Sequence, residues 1–150
     1  MSSEIKMGIG VGVILLNDKG EVLLGLRNSD KDIADSDMRL EGTYTLPSGK
    51  VRYKETFEEA GIRKVKDETN LDVSKIRVIS LQNDINEYAH YATVGLIADE
   101  FSGEIKIKPT NELVSWDWFS LDNLPKNLCF PSRKILDCYV NNKFYNPEVE

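Results

Sequence analysis

The segment 49–71, GKVRYKETFEEAGIRKVKDETNL, constrains the fold more than any other part of the chain. Its apolar side chains recur every three or four residues, and so do its charged ones, which is the period of an amphipathic helix. Thr56 and Glu59 have the spacing of a capping box at the start of such a helix. Asn70 suits the left-handed conformation in which many helices end. The sequence therefore predicts a helix over 56–69 with an apolar face and a charged face.

Apolar runs on both sides of this helix predict strands. The run 8–16 is rich in Gly, Val and Ile, and a turn signal at 17–20 connects it to the run 21–25, which predicts a β-hairpin. Segment 28–41 is polar and interrupts the strand pattern, so a mobile loop is predicted there. Further strands are predicted at 76–81, 88–98, 105–107 and 113–119, and a second amphipathic helix at 131–140. The simplest packing is an α/β fold in which one mixed sheet lies between helices.

Length and composition exclude several classes of protein. With 150 residues, of which 41% are hydrophobic, the chain is predicted to form a single domain over 1–150 with a real core. The longest apolar run is too short to cross a bilayer, and the start of the chain lacks the pattern of a signal peptide, so we expect a cytoplasmic protein. The net charge of -6 argues against a nucleic-acid-binding surface. Cys129 and Cys138 are predicted to be reduced thiols.

Two adjacent carboxylates, Asp67 and Glu68, lie near the end of the predicted helix. Such a pair is unfavourable unless solvent or a cation neutralises the two charges. A solvated helix face and a metal site both explain the pair, and the helix alone leaves both interpretations open. Carboxylate oxygens suit Mg²⁺, which also retains waters and binds substrate phosphates.

The spacing of these residues resembles the signature of the Nudix (MutT-like) pyrophosphohydrolases, G-x5-E-x7-R-E-U-x-E-E-x-G-U, where U is a bulky apolar residue. Asp67 keeps the carboxylate of the first Glu in the E-E pair, and the other matching positions are Gly49, Glu55, Arg63, Val65, Glu68 and Leu71. Segment 42–49 resembles the family's G-x-W-x-L-P-G-G turn, and segments 22–27 and 116–125 resemble its second strand and its closing segment. The resemblance is strongest over 8–125 and implies the family's α/β/α sandwich.

The resemblance also implies which residues hold a divalent cation and a substrate. In the family, acids of this helix bind Mg²⁺ or Mn²⁺, the ions neutralise a diphosphate, and water attacks phosphorus. Arg63 is expected to pair with Glu55 and to fix the loop between them. Catalytic roles are implied for Glu68, Asp67, Arg63 and Glu55. Metal binding is implied for Glu68, Asp67, Glu55 and the carbonyl of Ser48, and substrate binding for Arg27. Arg52 and Lys64 are cations at positions where the family usually has other residues, and they are also predicted to bind substrate.

Lys64 departs from the family pattern, because it stands where the family has a Glu that binds metal or helps to activate water. A protonated Lys does neither, and Lys64 has the spacing to pair with Glu68. Three interpretations remain. The base comes from another loop, with Glu87, Asp84 and Glu112 as the candidate acids. Alternatively, the added positive charge takes over part of a metal's work on a more anionic substrate, or the site binds a nucleotide or a partner without turnover.

The sequence thus predicts a Mg²⁺-dependent pyrophosphohydrolase that cleaves a nucleoside diphosphate linked to another group, X. The short chain favours a nucleoside triphosphate slightly over ADP-ribose or a nucleotide sugar. The alternative is a Nudix-fold module that binds a nucleotide or regulates a partner with weak or no turnover. The expected partner is a small nucleotide, with no nucleic acid and no membrane, and a homodimer is left open. Tyr91 and Phe130 are expected in the core, with stacking on a base as the alternative.

Overall fold

The computed structural model describes residues 4–150, so the domain predicted over 1–150 is described without its first three residues. The elements are β1 (Lys6–Ile14), β2 (Val22–Arg27), β3 (Tyr44–Thr45), β4 (Ser48–Lys50), α1 (Phe57–Thr69), β5 (Asp72–Ile85), β6 (Ala89–Ser102), β7 (Leu113–Phe119), α2 (Phe130–Val140) and β8 (Tyr145–Asn146). One sheet has the order β4-β1-β6-β5-β8, and the second has the order β3-β2-β7. The larger sheet is mixed, because β1 runs parallel to β6 but antiparallel to β4.

Helix α1 begins and ends at the residues that its sequence signals predict. The Thr56 hydroxyl accepts a hydrogen bond from the backbone N–H of Glu59 at 3.1 Å, and the Glu59 carboxylate accepts one from the backbone N–H of Thr56 at 3.0 Å. These bonds satisfy N–H groups that the first turn of a helix leaves without partners. At the other end, Asn70 is left-handed with a φ of 71°. The predicted capping box and the predicted role of Asn70 are therefore confirmed.

The two helices pack on opposite faces of the larger sheet. On one face, Val11 and Val13 of β1 share a buried cluster with Ala60 of α1. On the other face, Ile14 of β1 packs with Ile135 of α2. This division follows from the strand itself, because successive side chains of a strand point to opposite faces. The predicted α/β fold, with a mixed sheet between helices, is confirmed.

The predicted hairpin between the first two strands forms only at its turn. The turn is closed by the backbone N–H of Gly20, which donates to the carbonyl of Asn17 at 2.9 Å. Beyond the turn, β1 and β2 enter different sheets. Both edges of β1 are occupied, one by β4 and the other by β6. The predicted first strand, 8–16, therefore pairs with β2 only at the bridge between Leu16 and Val22.

Later strands also differ from their predicted ranges. β5 and β6 extend beyond 76–81 and 88–98, because the two strands pair from Asp72 with Ser102 to Ile85 with His90, in a long ribbon that contains register shifts. The strand predicted at 105–107 is wrong. Lys106 does not join a strand there, but donates its backbone N–H at 2.9 Å to the carbonyl of Thr69, at the end of α1.

Segment 28–41 contains neither helix nor strand, as predicted, and is attached to the rest of the fold at several points. Ala34 and Met38 are buried. Arg27 Nη2 donates to the carbonyl of Ala34 at 3.1 Å, and Asn86 Nδ2 donates to the carbonyl of Met38 at 3.0 Å. These bonds connect the segment to β2 and to the turn between β5 and β6. Its mobility stays a prediction.

Two expectations from composition concern the thiols and the membrane. Cys129 and Cys138 are both buried and free, as predicted. Among residues 4–150, no helix is long and apolar enough to cross a membrane.

Candidate active site

A cavity of about 600 Å³ lies between β1, β4, α1, segment 28–41 and the start of α2. This volume is in the range of sites that bind small molecules. Both signs of charge line the cavity, the cations being Arg27, Lys50, Arg52, Arg63 and Lys64 and the acids Asp35, Asp37, Glu68 and Glu112. Such a lining can neutralise an anionic ligand and can also accept hydrogen bonds from it.

Glu68 brings a buried carboxylate to this cavity from the last turn of α1. Its side chain is only 13% exposed, and its Oε1 accepts a hydrogen bond from the backbone N–H of Ser48 at 2.9 Å. Burial raises the pKa of Glu68 to about 7, and the charge of Lys64 and the Ser48 hydrogen bond oppose that shift only in part. The carboxylate is therefore poised to change its protonation state near neutral pH.

Lys64 lies one helical turn before Glu68 and crosses the backbone of β4. Its Nζ is 4.0 Å from Oε2 of Glu68. A Cβ atom at Gly49 would collide with the aliphatic part of the Lys64 side chain. Gly49 is therefore required for close approach: the lack of a side chain lets Lys64 pass over the strand and reach the cavity.

Glu55 and Arg63 form a bidentate ion pair at the edge of the cavity. Arg63 Nε donates to Glu55 Oε2 at 2.7 Å, and Arg63 Nη2 donates to Glu55 Oε1 at 2.9 Å. Arg63 Nη2 also donates to the carbonyl of Lys50, and the Glu55 carboxylate accepts the backbone N–H of Arg52, both at 2.9 Å. The pairing expected from the sequence is present, because the chain folds back between Lys50 and Glu55.

We expect Glu55→Gln to lower the free energy of unfolding at pH 7 by about 1–2 kcal/mol, the range of a partly buried ion pair. The hydrogen bonds from Arg63 and then from the backbone of Arg52 lower the pKa of Glu55 from 4.5 to about 2. This stabilisation is therefore complete above pH 4.5 and is lost as the pH falls towards 2. Urea unfolding at pH 7 and pH 3 measures it: the difference between wild type and variant should shrink at pH 3. A pH-independent difference would contradict the assignment.

Asp67 does not join Glu68 in the main cavity. Its side chain is 52% exposed, and its Oδ2 lies 3.6 Å from Nη1 of Arg63. It lines a smaller neighbouring cavity of about 300 Å³, together with Lys64, Glu68 and Glu112. Within the described range 4–150, no three His, Cys, Asp or Glu side chains are grouped closely enough to hold a metal ion. The three acids of the signature are thus separated, because Glu68 lies in the cavity, Glu55 is bound to Arg63 and Asp67 lies towards solvent.

The three acids considered as a general base lie in very different places. Glu112 lines both cavities beside Glu68, and its charge adds to the causes that raise the pKa of Glu68. Asp84 is completely buried, pairs with Lys134 at 2.8 Å, and is not among the residues that line the two cavities. Among the described residues, Glu87 is likewise outside both linings. Of these three acids, only Glu112 is therefore placed to contact a ligand in the cavity.

A polar cluster that the sequence did not predict lies at another part of the cavity wall. Asp37, from segment 28–41, accepts a hydrogen bond from the hydroxyl of Tyr91 and pairs with Lys50 Nζ at 2.7 Å. Burial alone would raise the pKa of Asp37, but the bonds from Lys50 and Tyr91 hold it below its ordinary value. The expectation that Tyr91 is buried is met, and its hydroxyl also fixes the loop. No local signal announces this cluster, because Asp37 and Tyr91 are 54 residues apart.

The three residues expected to bind substrate, Arg27, Arg52 and Lys64, all line the cavity. Fewer side chains are placed to hold a divalent cation than the sequence implied. Mg²⁺ commonly takes one or two carboxylates and completes its shell with waters and substrate phosphates. Glu68 and Glu112 offer two such carboxylates, which suits one ion held jointly with a phosphate. The same residues do not form a cage that would bind several ions by protein side chains alone.

Comparison with known proteins gives one family. The family model described as NUDIX domain matches residues 6–138. The chain is 34% identical over 105 residues to the NAD-capped RNA hydrolase NudC of Photorhabdus laumondii, a match that covers 69% of this chain and 40% of that protein. It is 33% identical over 105 residues to the ADP-ribose pyrophosphatase of Methanocaldococcus jannaschii, which covers 69% of this chain and 60% of that protein. The chain thus spans about half the length of these curated relatives.

The fold is also similar to that of a solved structure. The MutT NUDIX hydrolase from Burkholderia pseudomallei superposes with a TM-score of 0.76 at 25% sequence identity. The match covers 88% of this chain and 97% of that one, so nearly the whole of that structure has a counterpart here.

Proposed function

The chain belongs to the Nudix family of hydrolases, and we propose that it cleaves the diphosphate of a nucleoside diphosphate linked to a second group, X. The main support is the cavity, in which the carboxylate of Glu68 lies beside cationic side chains. Cations suit the phosphates of such a substrate, and Arg is especially suited because its guanidinium donates two parallel hydrogen bonds to phosphate oxygens. Arg27, Arg52 and Lys64 are the proposed substrate-binding residues.

Glu68 and Glu112 would hold one Mg²⁺ or Mn²⁺ together with the substrate phosphates, with the carbonyl of Ser48 as the further ligand that the family suggests. When bound, the ion would neutralise charge on the diphosphate and make water a better nucleophile. Asp67 would support the ion from the neighbouring cavity. Arg63 would act through Glu55, since their ion pair fixes the loop that carries Arg52.

The proposed reaction is hydrolysis at one phosphorus of the diphosphate. A bond forms between the oxygen of water and that phosphorus, and the bond from phosphorus to the bridging oxygen breaks. Glu112 takes the proton released by the attacking water, and the bridging oxygen leaves on the other phosphate. The products are a nucleoside monophosphate and phosphorylated X. With a nucleoside triphosphate, pyrophosphate would be released instead.

The relatives favour ADP-ribose or an NAD-like compound over the triphosphate that chain length alone suggested. ADP-ribose and NAD each contain a diphosphate between two ribosyl groups, and the two relatives are named for hydrolysis of NAD-capped RNA and for cleavage of ADP-ribose. The net charge of -6 favours a small nucleotide over a long RNA strand. The cavity volume of about 600 Å³ suits a ligand of that size.

A second function, nucleotide binding with weak or no turnover, is supported by one observation. The ammonium of Lys64 lies 4.0 Å from Glu68 Oε2, where it competes with a cation for that carboxylate. Such a protein would bind the same ligands and would release little or no product.

One experiment separates the two functions. The purified protein is incubated with ADP-ribose, NADH, nucleoside triphosphates and nucleotide sugars, each with Mg²⁺, with Mn²⁺ and with EDTA, and the products are separated by ion-exchange chromatography. We expect metal-dependent release of AMP from ADP-ribose. Nucleotide binding without cleavage under any condition would favour the binding module. Neither binding nor cleavage would overturn both proposals.

A further inference from the structure

Lys64 is held in one place beside the carboxylate of Glu68. Its side chain is only 22% exposed, and its aliphatic part lies against the backbone of Gly49. It lines the main cavity and the smaller neighbouring one. The Lys64 ammonium is therefore a positioned charge at the wall between the two cavities, not a side chain that moves freely in solvent.

The ammonium is also available to a ligand. Its distance of 4.0 Å from Glu68 Oε2 is too long for a hydrogen bond, whereas the other oxygen of Glu68 is already bound to Ser48 N–H. An ammonium has three N–H donors that rotate easily towards an acceptor. A phosphate that enters the cavity can thus take these donors without breaking a strong contact within the protein.

The same ammonium opposes a second divalent cation at this place. An ion on Oε2 of Glu68 would lie within a few ångströms of Lys64 Nζ, where the two positive charges repel each other. The other two carboxylates of the signature do not compensate, because Glu55 is bound to Arg63 and Asp67 is half exposed. The single ion of the proposed function therefore needs the negative charge of a substrate phosphate to offset this repulsion, and a second ion would be repelled by the first ion as well.

We propose that Lys64 takes the place of one divalent ion. Its ammonium lets the cavity bind a diphosphate in the absence of metal, and the cavity holds a single divalent ion together with the diphosphate when metal is present. This inference rests on the proposed function, because it concerns how the same cavity holds the same class of ligand. It gives a specific role to the residue that departs from the family signature. Such a site favours substrates whose diphosphate is fully ionised.

The first test measures binding of ADP-ribose in EDTA by isothermal titration calorimetry. We expect wild type to bind, and Lys64→Met to bind at least about tenfold more weakly, the loss of one charge-assisted hydrogen bond. Lys64→Arg should retain most of the affinity. The matched control is Lys66→Met on the same helix, because Lys66 pairs with Asp72 outside the cavity and its loss should leave binding unchanged.

The second test counts bound Mn²⁺ by electron paramagnetic resonance, with adenosine 5′-(α,β-methylene)diphosphate as a ligand that cannot be cleaved at its diphosphate bridge. We expect one Mn²⁺ per chain in wild type and at least one more in Lys64→Glu. Lys66→Glu adds the same carboxylate to the same helix away from the cavity, and should leave the count at one.

The inference is overturned if wild type binds no ADP-ribose in EDTA, if Lys64→Met binds as tightly as wild type, or if wild type already holds two or more Mn²⁺. None of these measurements needs turnover. Binding that depends on Lys64, combined with no cleavage of any substrate, would keep the inference and reject the proposed hydrolase. Metal-dependent cleavage with no binding in EDTA would do the reverse.

Discussion

Glu68→Gln is expected to reduce kcat by about 100-fold or more, the range for loss of one essential charged group. Of the three signature acids Glu55, Asp67 and Glu68 in the described structure, Glu68 alone lines the main cavity, and Gln has nearly the same shape. The amide oxygen of Gln can still accept the Ser48 N–H that Oε1 of Glu68 accepts at 2.9 Å. The variant therefore removes the negative charge while preserving the local structure. The measurement is kcat and KM for the best substrate at saturating Mg²⁺.

Asp67→Asn is the matched control, because it removes the adjacent carboxylate from the same helix. Its side chain is half exposed and lies in the smaller cavity, so we expect a smaller loss of kcat than in Glu68→Gln. Equal losses in the two variants would mean that substrate binding brings Asp67 to the reacting phosphate. An unchanged rate in Glu68→Gln would remove the support for a mechanism centred on this helix.

Lys134→Met is expected to lower the free energy of unfolding by about 3–5 kcal/mol, because it leaves a buried charge without a partner. Lys134 and Asp84 are both fully buried, with Nζ of Lys134 at 2.8 Å from Oδ1 of Asp84. Nζ also donates to the carbonyl of Asn83 at 2.7 Å, and Gln82 Nε2 donates to both oxygens of Asp84 at 2.9 and 3.0 Å. A loss of this size is a large share of the stability of a typical domain.

The neighbouring residue supplies the control for this stability prediction. Arg133 is on the same helix, but its ion pairs with Asp137 and Glu148 are exposed, so Arg133→Met should cost about 1 kcal/mol or less. Replacing both buried partners, by combining Lys134→Met with Asp84→Leu, should recover much of the loss, since no isolated charge remains. Guanidinium unfolding at pH 7 measures all three. Equal effects of Lys134→Met and Arg133→Met would show that the buried pair has no special importance.

The parts of the fold that local chemistry determines were predictable from the sequence. The capping box of Thr56 and Glu59 lies within three residues, and the left-handed Asn70 needs only its own backbone. The division of strands between two sheets was not predictable in this way. It depends on which strands occupy the two edges of β1, and those partners come from distant parts of the chain.

In the candidate site, too, residues on one helix could be predicted from the sequence, whereas contacts between distant parts of the chain could not. Resemblance to the family signature was enough to single out Glu68, Lys64 and Arg63, and helical geometry then fixes how they are arranged along α1. Asp84 was a reasonable candidate for a base until folding placed it against Lys134 in the core. The contact of Asp37 with Tyr91 exists only because segment 28–41 folds back over β6.

Strand β4 is only three residues long, yet each residue of it fixes a different part of the cavity. The N–H of Ser48 holds the carboxylate of Glu68, the bare backbone of Gly49 supports the side chain of Lys64, and Lys50 binds Asp37. One residue inserted within this strand would shift a contact by about 3.4 Å and turn Lys50 to the other face of the sheet. The length of β4 is therefore a constraint on the site, because a residue added to or removed from these three positions would misplace the contacts that shape the cavity.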